Sequence, residues 1–235
     1  MLVKTKAVVL NTIRYQDKSL IVKCYTISDG LKSYFVHNAY SSASKQKISF
    51  FQIGQILDIE ADHKNKEALD KFKEVKMSYA FNGISQSIHK QTQLIFIVDF
   101  LKSALKEDGQ NQGMFTFIET SLMWLDSQPY YPEFHLQFML FSTKYLGFLP
   151  TRKTANEKYF EKIEGVFQSN LSSSCLSETD SVTFNQLLCS SYEAPMSFNK
   201  IDRQMLLTTI LEYYQWHIAD FKWPKSLDIL KEIFD

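Results

Sequence analysis

The hydrophobic period of this chain changes near residue 78, and that change limits the folds open to it. Before residue 78, short segments rich in Val, Ile, Thr and Tyr alternate between apolar and polar positions, which is typical of strands with one buried face. After it, apolar residues recur three and four positions apart, which is typical of amphipathic helices. The sequence therefore predicts an α+β protein, with a β domain over residues 1–78 and a helical domain over residues 79–235.

Five short strands are predicted in the β domain, at residues 6–13, 19–27, 31–38, 54–60 and 72–77. The turn Ser28, Asp29, Gly30 joins the second strand to the third as a hairpin. The polar segment 41–47 is predicted to be a loop. Five strands of this length favour a small closed or half-closed barrel.

Helices are predicted from the apolar spacing of residues 94–105, 117–125 and 134–145, with a long one at 199–221 and a short one at 226–234. Gly109 is expected to cap the first of them, Gly147 to follow the third, and Asn199 or Ser197 to cap the long helix. Residues 151–196 are less regular, and we expect an inserted segment there with a short hairpin at 159–167.

The formal net charge of the 235 residues is zero, but the charges are unevenly distributed. Residues 1–57 contain eight basic and two acidic residues, a net charge of +6, so the remainder carries −6. A basic part joined to an acidic part indicates a polyanion-binding surface on the first and another role for the second. The alternative is that the basic residues form only a solvated face, but six unbalanced charges favour polyanion binding.

The composition indicates a folded protein, since apolar residues make up 45% of the chain. No apolar segment of a secretion signal follows the N-terminus, and the longest apolar run, Leu94 to Val98, is too short to cross a bilayer. Three cysteines without a CxxC pair favour reduced thiols over a disulfide framework. We therefore expect a soluble protein of the cytoplasm that makes no membrane contact.

Motifs of enzymes are missing from the sequence: it contains no GxGxxG, GxxxxGK[ST], HExxH or GxSxG. The five histidines are scattered, and His217, beside Tyr213 and Tyr214, is expected to be a packed ring. Cys175 and Cys189 lack the spacing of zinc ligands. We expect no catalytic residue, no metal site and no cofactor.

Basic and aromatic residues alternate in the first strands, as they do in proteins that hold phosphates with cations and stack bases on rings. Tyr15, Tyr34 and Tyr40 are candidate platforms for stacked bases, whereas Phe35 is expected to belong to the barrel core because strand aromatics are usually buried. The candidate nucleic-acid-binding residues are Lys4, Lys6, Arg14, Lys18, Lys23, Lys32, Tyr34, Tyr40, Lys45 and Lys47.

The order of these elements resembles the RecO family of bacterial recombination mediators over nearly the whole chain. The segments that carry the resemblance are Lys6 to Asn11, Tyr15, Asp17 to Ile21, Thr26 to Gly30, Tyr145 to Pro150, Arg203, Leu206, Leu207, Tyr213, Tyr214, His217, Ile218 and Lys225 to Leu227. Each string is unspecific by itself, and none is a catalytic signature. Their order across the chain makes the resemblance specific.

The resemblance implies an N-terminal five-stranded OB-fold barrel followed by a helical domain. It implies a protein that binds single- and double-stranded DNA, anneals complementary strands, and works with RecR and single-strand-binding protein to load the recombinase. The tail of single-strand-binding protein is expected on the helical domain. Many members carry a four-cysteine zinc site where residues 151–196 hold only Cys175 and Cys189, so this segment is expected to be a degenerate zinc ribbon without metal.

Two other functions are compatible with the same residues. The barrel of an interaction scaffold would bind an acidic protein partner instead of DNA, and an RNA-binding OB-fold protein would use the same cations and rings. Comparing DNA with RNA of the same sequence separates the last of these from a DNA-binding mediator.

Overall fold

The computed structural model describes residues 1–40, 45–63, 69–106 and 109–234, and the side chains of residues 45–47 and 234 are outside the description. In chain order the elements are β1 (Leu2–Tyr15), β2 (Ser19–Thr26), β3 (Gly30–Val36), α1 (Lys45–Phe50), β4 (Ile56–Asp62), β5 (Lys71–Tyr79), α2 (Ile88–Ala104), α3 (Gln112–Ser127), α4 (Phe134–Leu146), β6 (Tyr159–Glu161), β7 (Val166–Gln168), α5 (Glu178–Cys189), α6 (Lys200–His217) and α7 (Leu227–Phe234). They form two compact units, Met1–Gln128 and Pro129–Asp235.

The five strands of the first unit form one antiparallel sheet in the order β3-β2-β1-β4-β5. Asp70, just before β5, closes the sheet onto β3: its backbone nitrogen donates to the Ser33 carbonyl at 2.9 Å, and its carbonyl accepts from the Phe35 nitrogen at 2.9 Å. With α1 between β3 and β4, this closed sheet is a five-stranded OB-fold barrel. The predicted strands and fold class are confirmed.

The barrel core consists of alternate residues of each strand, as the two-residue period of a strand requires. Ala7, Val9, Val22 and Cys24 are completely buried in it, together with Tyr34 of β3. Phe51, which follows α1, stacks against Phe72 of β5 with ring centroids 5.5 Å apart.

Helices α2 and α3 cover the outer face of β1 and β2. Val8 and Leu10, which alternate with the core residues of β1, are completely buried on that face. Tyr25 of β2 stacks on Phe115 of α3 with ring centroids 6.3 Å apart, and burial raises its pKa to about 12. The sequence period detects these positions as apolar but does not show that helices bury them.

A buried carboxylate joins the end of the barrel to the helices. Asp126, near the end of α3, accepts hydrogen bonds from the Tyr79 hydroxyl at 3.0 Å and from the Ile84 backbone nitrogen at 2.8 Å. The buried Lys90 ammonium donates to the carbonyls of Asp126 and Gln128 at 3.0 and 2.6 Å. The compact unit accordingly extends to Gln128, whereas the change from strands to helices lies near residue 78, where the sequence predicted a domain boundary.

The second unit is helical with one small hairpin. Phe160 of β6 stacks on Phe184 of α5 with ring centroids 4.2 Å apart, so the hairpin packs on that helix. Asn199 caps α6 by accepting from the Asp202 nitrogen at 2.9 Å, and Gly147 ends α4 at a positive φ of 90°. The predicted hairpin, the cap at Asn199 and the short C-terminal helix are confirmed.

Three local predictions are wrong. The predicted loop at 41–47 overlaps α1, which begins at Lys45, while residues 41–44 lie outside the described chain. The segment 151–196 contains a regular helix, α5, whose Ser177 cap accepts from the Asp180 nitrogen at 3.1 Å. Gly109 does not cap α2, because the helix ends at Ala104. None of the described helices combines the length and the hydropathy needed to span a bilayer.

Candidate nucleic-acid interface

Two of the predicted phosphate-binding lysines are neutralised by carboxylates. Lys4 forms an ion pair with Glu60 of β4 at 3.1 Å, and Lys6 forms one with Glu119 of α3 at 2.6 Å. The hydrogen bond to Glu119 outweighs partial burial and raises the pKa of Lys6 above its usual value. On the same outer face, Lys76 pairs with Glu74 at 2.8 Å. This part of the barrel carries balanced charges, so it offers little attraction to a polyanion.

Lys23 and Lys32 are half-buried on different faces of the sheet. Lys23 alternates with the core residues of β2 and lies on the outer face. Lys32 lies at the start of β3, where its charge helps to lower the pKa of Asp29. The side chains of Lys45 and Lys47 lie outside the described residues, so their predicted role stays a prediction.

Tyr34 is completely buried, and its prediction as a stacking platform is wrong. Its hydroxyl is 2.7 Å from His63 Nε2, and its ring stacks on Phe72 at a centroid distance of 4.1 Å. His63 Nδ1 is 2.7 Å from Asp29 Oδ2, which completes a Tyr-His-Asp chain of hydrogen bonds. Such a chain serves acid-base chemistry only where one end meets a substrate, and the tyrosine end of this one is sealed in the core.

The tip of the β1–β2 hairpin gathers exposed cations and rings. The Arg14 guanidinium lies 5.0 Å from the centre of the Tyr40 ring, within the range of a cation–π contact. Tyr40 in turn donates its backbone N–H to the carbonyl of the exposed Lys18 at 3.3 Å. Tyr15 and Tyr40 are 44% and 40% exposed. We call Arg14, Tyr15, Lys18 and Tyr40 the hairpin-tip cluster.

A cleft opens where β3 and β5 separate beyond Asp70. It has a volume of about 660 Å³, and Phe50 of α1 and the adjacent Phe51 are among the residues that line it. We call it the β3–β5 groove and define it by Phe35, His37, Phe50, Lys71, Phe72 and Lys73. β3 and β5 meet at the bridge between Tyr34 and Asp70 and at the stacking of Tyr34 on Phe72, and the groove lies beside these contacts.

Phe35 connects the groove to the hairpin-tip cluster. Its ring meets Tyr15 edge-on at a centroid distance of 5.9 Å and stacks on the exposed His37 at 6.1 Å. Because Tyr34 and Val36 point into the core, Phe35 lies on the outer face and remains only half-buried. The prediction of Phe35 as a core residue is therefore wrong, and the structure places it at the centre of the exposed aromatic surface.

Lys71 and Lys73 are cations that the sequence interpretation missed. Both are exposed at the groove; Lys73 pairs with Asp62 at 3.1 Å, and Lys71 makes no ion pair with any described residue. Both lysines lie beyond residues 1–57, the part of the chain whose excess of basic residues indicated polyanion binding. The available signal was the alternation Lys71, Phe72, Lys73, which combines phosphate-binding and base-stacking residue types in one strand.

No group of three or more His, Cys, Asp or Glu side chains suited to a metal ion occurs in the described parts of the chain. Cys175, in the segment after the β6–β7 hairpin, accepts a hydrogen bond from the Gln168 amide at 3.1 Å and shares one with the Ser172 hydroxyl at 3.2 Å. Cys24 is buried in the barrel, and that burial raises the pKa of its thiol. His217 is a packed ring as predicted, stacked on Phe148 at 4.9 Å.

Comparison with known proteins assigns the chain to a family. The family model described as recombination protein O, N terminal, matches residues 1–81, and the model described as recombination protein O, C terminal, matches residues 85–228. The chain belongs to the RecO family. Its relatives include proteins named DNA repair protein RecO from Flavobacterium psychrophilum, at 45% identity over 237 residues, and Flavobacterium johnsoniae, at 44% over 236. The RecO of Bacteroides fragilis is 33% identical over 242 residues, and each match covers both chains completely.

Membership of the RecO family gives the chain a role in DNA repair and recombination. The match of the N-terminal model to residues 1–81 coincides with the barrel, which ends with β5 at Tyr79. The C-terminal RecO model begins at residue 85 and so includes α2 and α3, although these helices pack in the same compact unit as the barrel. The predicted family is confirmed.

Proposed function

We propose that the protein is a DNA-binding recombination mediator that acts without catalysing a covalent step. It binds single- and double-stranded DNA through the barrel, anneals complementary strands and, with RecR, helps to load the recombinase on DNA covered by single-strand-binding protein. It works in the cytoplasm, on the nucleoid. The observation that carries the proposal is the continuous surface formed by the hairpin-tip cluster and the β3–β5 groove, where cations alternate with exposed rings.

This surface matches the needs of a nucleic-acid strand. Cations on it attract phosphates and release bound counterions, which makes affinity strongly dependent on salt. Rings on it stack on bases, each contributing on the order of 1–3 kcal/mol. The outer face of β1 and β4, where Lys4 and Lys6 have carboxylate partners, lacks the attraction to phosphates.

Annealing requires that a strand be held with its bases accessible. A surface that neutralises phosphates reduces the repulsion between two complementary strands and raises their local concentration. The barrel of residues 1–81, with thirteen basic and eight acidic residues, supplies this neutralisation.

The second unit is the proposed site for protein partners. Lys200, Arg203 and Lys231 line a small hollow together with Leu207 and Leu230, and Arg203 is paired with the buried Glu133 at 3.6 Å. Cations beside apolar side chains suit an acidic peptide that ends in an apolar side chain, and we assign the tail of single-strand-binding protein to this hollow. RecR and the recombinase are the other proposed partners.

The decisive experiment is annealing of complementary DNA strands covered by the cognate single-strand-binding protein. We expect the full-length protein to accelerate annealing and the Arg14→Gln/Lys18→Gln variant to do so less well at the same concentration. A protein that leaves annealing unchanged on both naked and covered strands would refute the mediator function. Equal or tighter binding of RNA of the same sequence would favour an RNA-binding function instead.

A further inference from the structure

We propose that the β3–β5 groove is a pocket for unpaired nucleobases, which gives the barrel a preference for single strands over duplex. The inference rests on the proposed function and assigns part of the DNA contact to residues that lie outside the predicted site. Phe35, Phe50 and Phe72 are half-buried and line the groove, together with the exposed His37.

The dimensions of the groove suit a flat ring. Its volume of about 660 Å³ lies within the range of roughly 300–1,000 Å³ that small-molecule pockets occupy. Phe72 stacks on Tyr34 and on Phe51, at centroid distances of 4.1 and 5.5 Å and interplanar angles of 18° and 17°. A ring held in this way is already ordered, so a base stacking on it orders no additional side chain.

The charges of the groove favour a nucleotide over an apolar protein side chain. None of the described residues lining it is acidic, and Lys71 and Lys73 line it at the start of β5, although Lys73 is paired with Asp62 at 3.1 Å. Lys71 has no ion-pair partner among the described residues, and its ammonium is available to a phosphate. A nucleotide with its base inside the groove and its phosphate at the rim would stack on the aromatic rings and form an ionic contact with Lys71.

The pocket selects single strands because a base must leave its duplex before it can enter the groove. A base in a duplex is stacked on both faces and paired along its edge, and turning it out costs a few kcal/mol. A base in a single strand does not have to break a pair before it enters the groove. The hairpin-tip cluster beside Phe35 then provides further cations and rings for the adjoining nucleotides.

Phe35→Ala is the variant that tests the pocket. Phe35 is outside the buried core of the barrel, so removing its ring leaves the core contacts in place. Phe81→Ala is the matched control, since Phe81 is a half-buried ring of the same unit that lies away from the groove and meets Tyr79 edge-on at 5.5 Å. Circular dichroism and thermal unfolding of both variants establish that they fold.

The measurement uses single-stranded oligonucleotides that contain either 2-aminopurine or a run of abasic sites at the same positions. We expect the full-length protein to quench 2-aminopurine fluorescence and to bind the intact strand about 5- to 150-fold more tightly than the abasic strand, as one stacked base would produce. Phe35→Ala should lose most of this difference, and Phe81→Ala should keep it. Binding to duplex should change little in either variant.

Equal affinity of the full-length protein for intact and abasic strands would overturn the pocket, while leaving phosphate binding and annealing intact. An unchanged intact-to-abasic ratio in Phe35→Ala would also overturn it, and the groove would then be free for a protein partner. Loss of the proposed function gives a different result, because no strand would bind or anneal at all.

Discussion

The Tyr34 hydroxyl lies 2.7 Å from His63 Nε2 inside the barrel, and this pair of residues determines which face of β3 is buried. A buried tyrosine needs a hydrogen-bond partner for its hydroxyl, and the ring nitrogen of His63 provides one. Asp29 Oδ2 lies 2.7 Å from His63 Nδ1, and because an ionised carboxylate can only accept, Nδ1 is the donor of this hydrogen bond. Phe35, next along the strand, is thereby left on the outer face.

We predict that Tyr34→Phe lowers the free energy of unfolding by about 1–3 kcal/mol. The change keeps the ring and its packing on Phe72, but it leaves the buried His63 Nε2 without its hydrogen-bond partner. Urea unfolding monitored by circular dichroism measures the difference. Tyr25→Phe is the control, because the hydroxyl of Tyr25 makes only a 3.5 Å contact to the Asn111 carbonyl, and we expect a smaller loss.

Stability at low pH should depend on Asp29. Partial burial opposes ionisation of this carboxyl, but hydrogen bonds with Ser28 and His63 prevail and hold its pKa below the usual 3.8. A lowered pKa in the folded state stabilises the protein above the usual pKa, and the contribution is lost as the pH falls through the folded value. We therefore expect Asp29→Asn to be less stable than the parent at pH 6 and the difference to shrink below pH 4.

Thermal unfolding of both proteins from pH 6 to pH 3 measures this effect. The substitution removes the charge of Asp29 and leaves its two hydrogen-bond partners, Ser28 and His63, in place. A stability difference that stays constant across this range would contradict a role for the Asp29 charge.

The sequence predicts the strands of the barrel but not the orientation of β3. Alternation establishes that Tyr34 and Phe35 lie on opposite faces, and both residue types are common in buried and in exposed strand positions. The deciding contact joins residue 34 to residue 63, which are remote in sequence. Pattern alone therefore assigned the core to Phe35 and the binding surface to Tyr34, the reverse of what the structure shows.

The charge pattern of the sequence has a similar limit. The sequence shows the excess of basic side chains but not their partners. Lys4 and Lys6 form ion pairs with Glu60 and Glu119, which makes them less available to phosphates. Glu119 lies in α3, 113 residues from Lys6, and no local pattern connects them. The groove is hidden from the sequence for the same reason, since β3 and β5 meet through residues that are remote in sequence, at the bridge between Tyr34 and Asp70 and at the stacking of Tyr34 on Phe72.

These ion pairs predict that the basic residues contribute unequally to DNA binding. Arg14→Gln/Lys18→Gln should reduce the slope of log K against log salt for single-stranded DNA by about 1.4, at roughly 0.7 for each phosphate that the variant no longer neutralises. Lys4→Gln/Lys6→Gln should leave the slope nearly unchanged, because these lysines are paired with Glu60 and Glu119.

Fluorescence anisotropy of a labelled oligonucleotide at four or more salt concentrations gives both slopes. The two variants remove the same formal charge, so an effect of net charge alone would change them equally. Equal slopes in the two variants would show that the ion pairs do not decide which lysines bind.

Asp126 is predicted to hold α2 and α3 on the barrel. Replacing it with Ala leaves the buried Ile84 nitrogen and the Tyr79 hydroxyl without their acceptor, at about 1–3 kcal/mol for each buried group. Asp126→Asn retains one acceptor oxygen, and we expect a smaller loss. Hydrogen exchange should locate the weakened protection at residues 82–90 in Asp126→Ala, and uniform weakening of the whole first unit would argue against this local role.

Replacement of Gly165 with alanine is predicted to lower the stability of the protein more than the same replacement of Gly147. Both adopt positive φ, +69° and +90°, so an alanine at either position costs about 1–2 kcal/mol of backbone strain. A Cβ at Gly147 would have no neighbour within 4 Å, whereas one at Gly165 would overlap the Tyr213 hydroxyl. That hydroxyl donates to the Phe148 carbonyl at 2.6 Å, and moving it would break the bond. In urea unfolding, we expect the free energy of unfolding of Gly165→Ala to be about 1–3 kcal/mol lower than that of Gly147→Ala.

A double-mutant cycle with Tyr213→Phe separates the overlap from the backbone strain. Removing the hydroxyl removes the atom that a Cβ at Gly165 would meet first, so Gly165→Ala should cost less in the Tyr213→Phe protein than in the parent. Gly147→Ala should cost the same in both, because its Cβ would touch neither Tyr213 nor any other residue. Additive losses for Gly165→Ala and Tyr213→Phe would mean that the β6–β7 turn adjusts without disturbing Tyr213, and that the hairpin is held on its helices by other contacts, such as the stacking of Phe160 on Phe184.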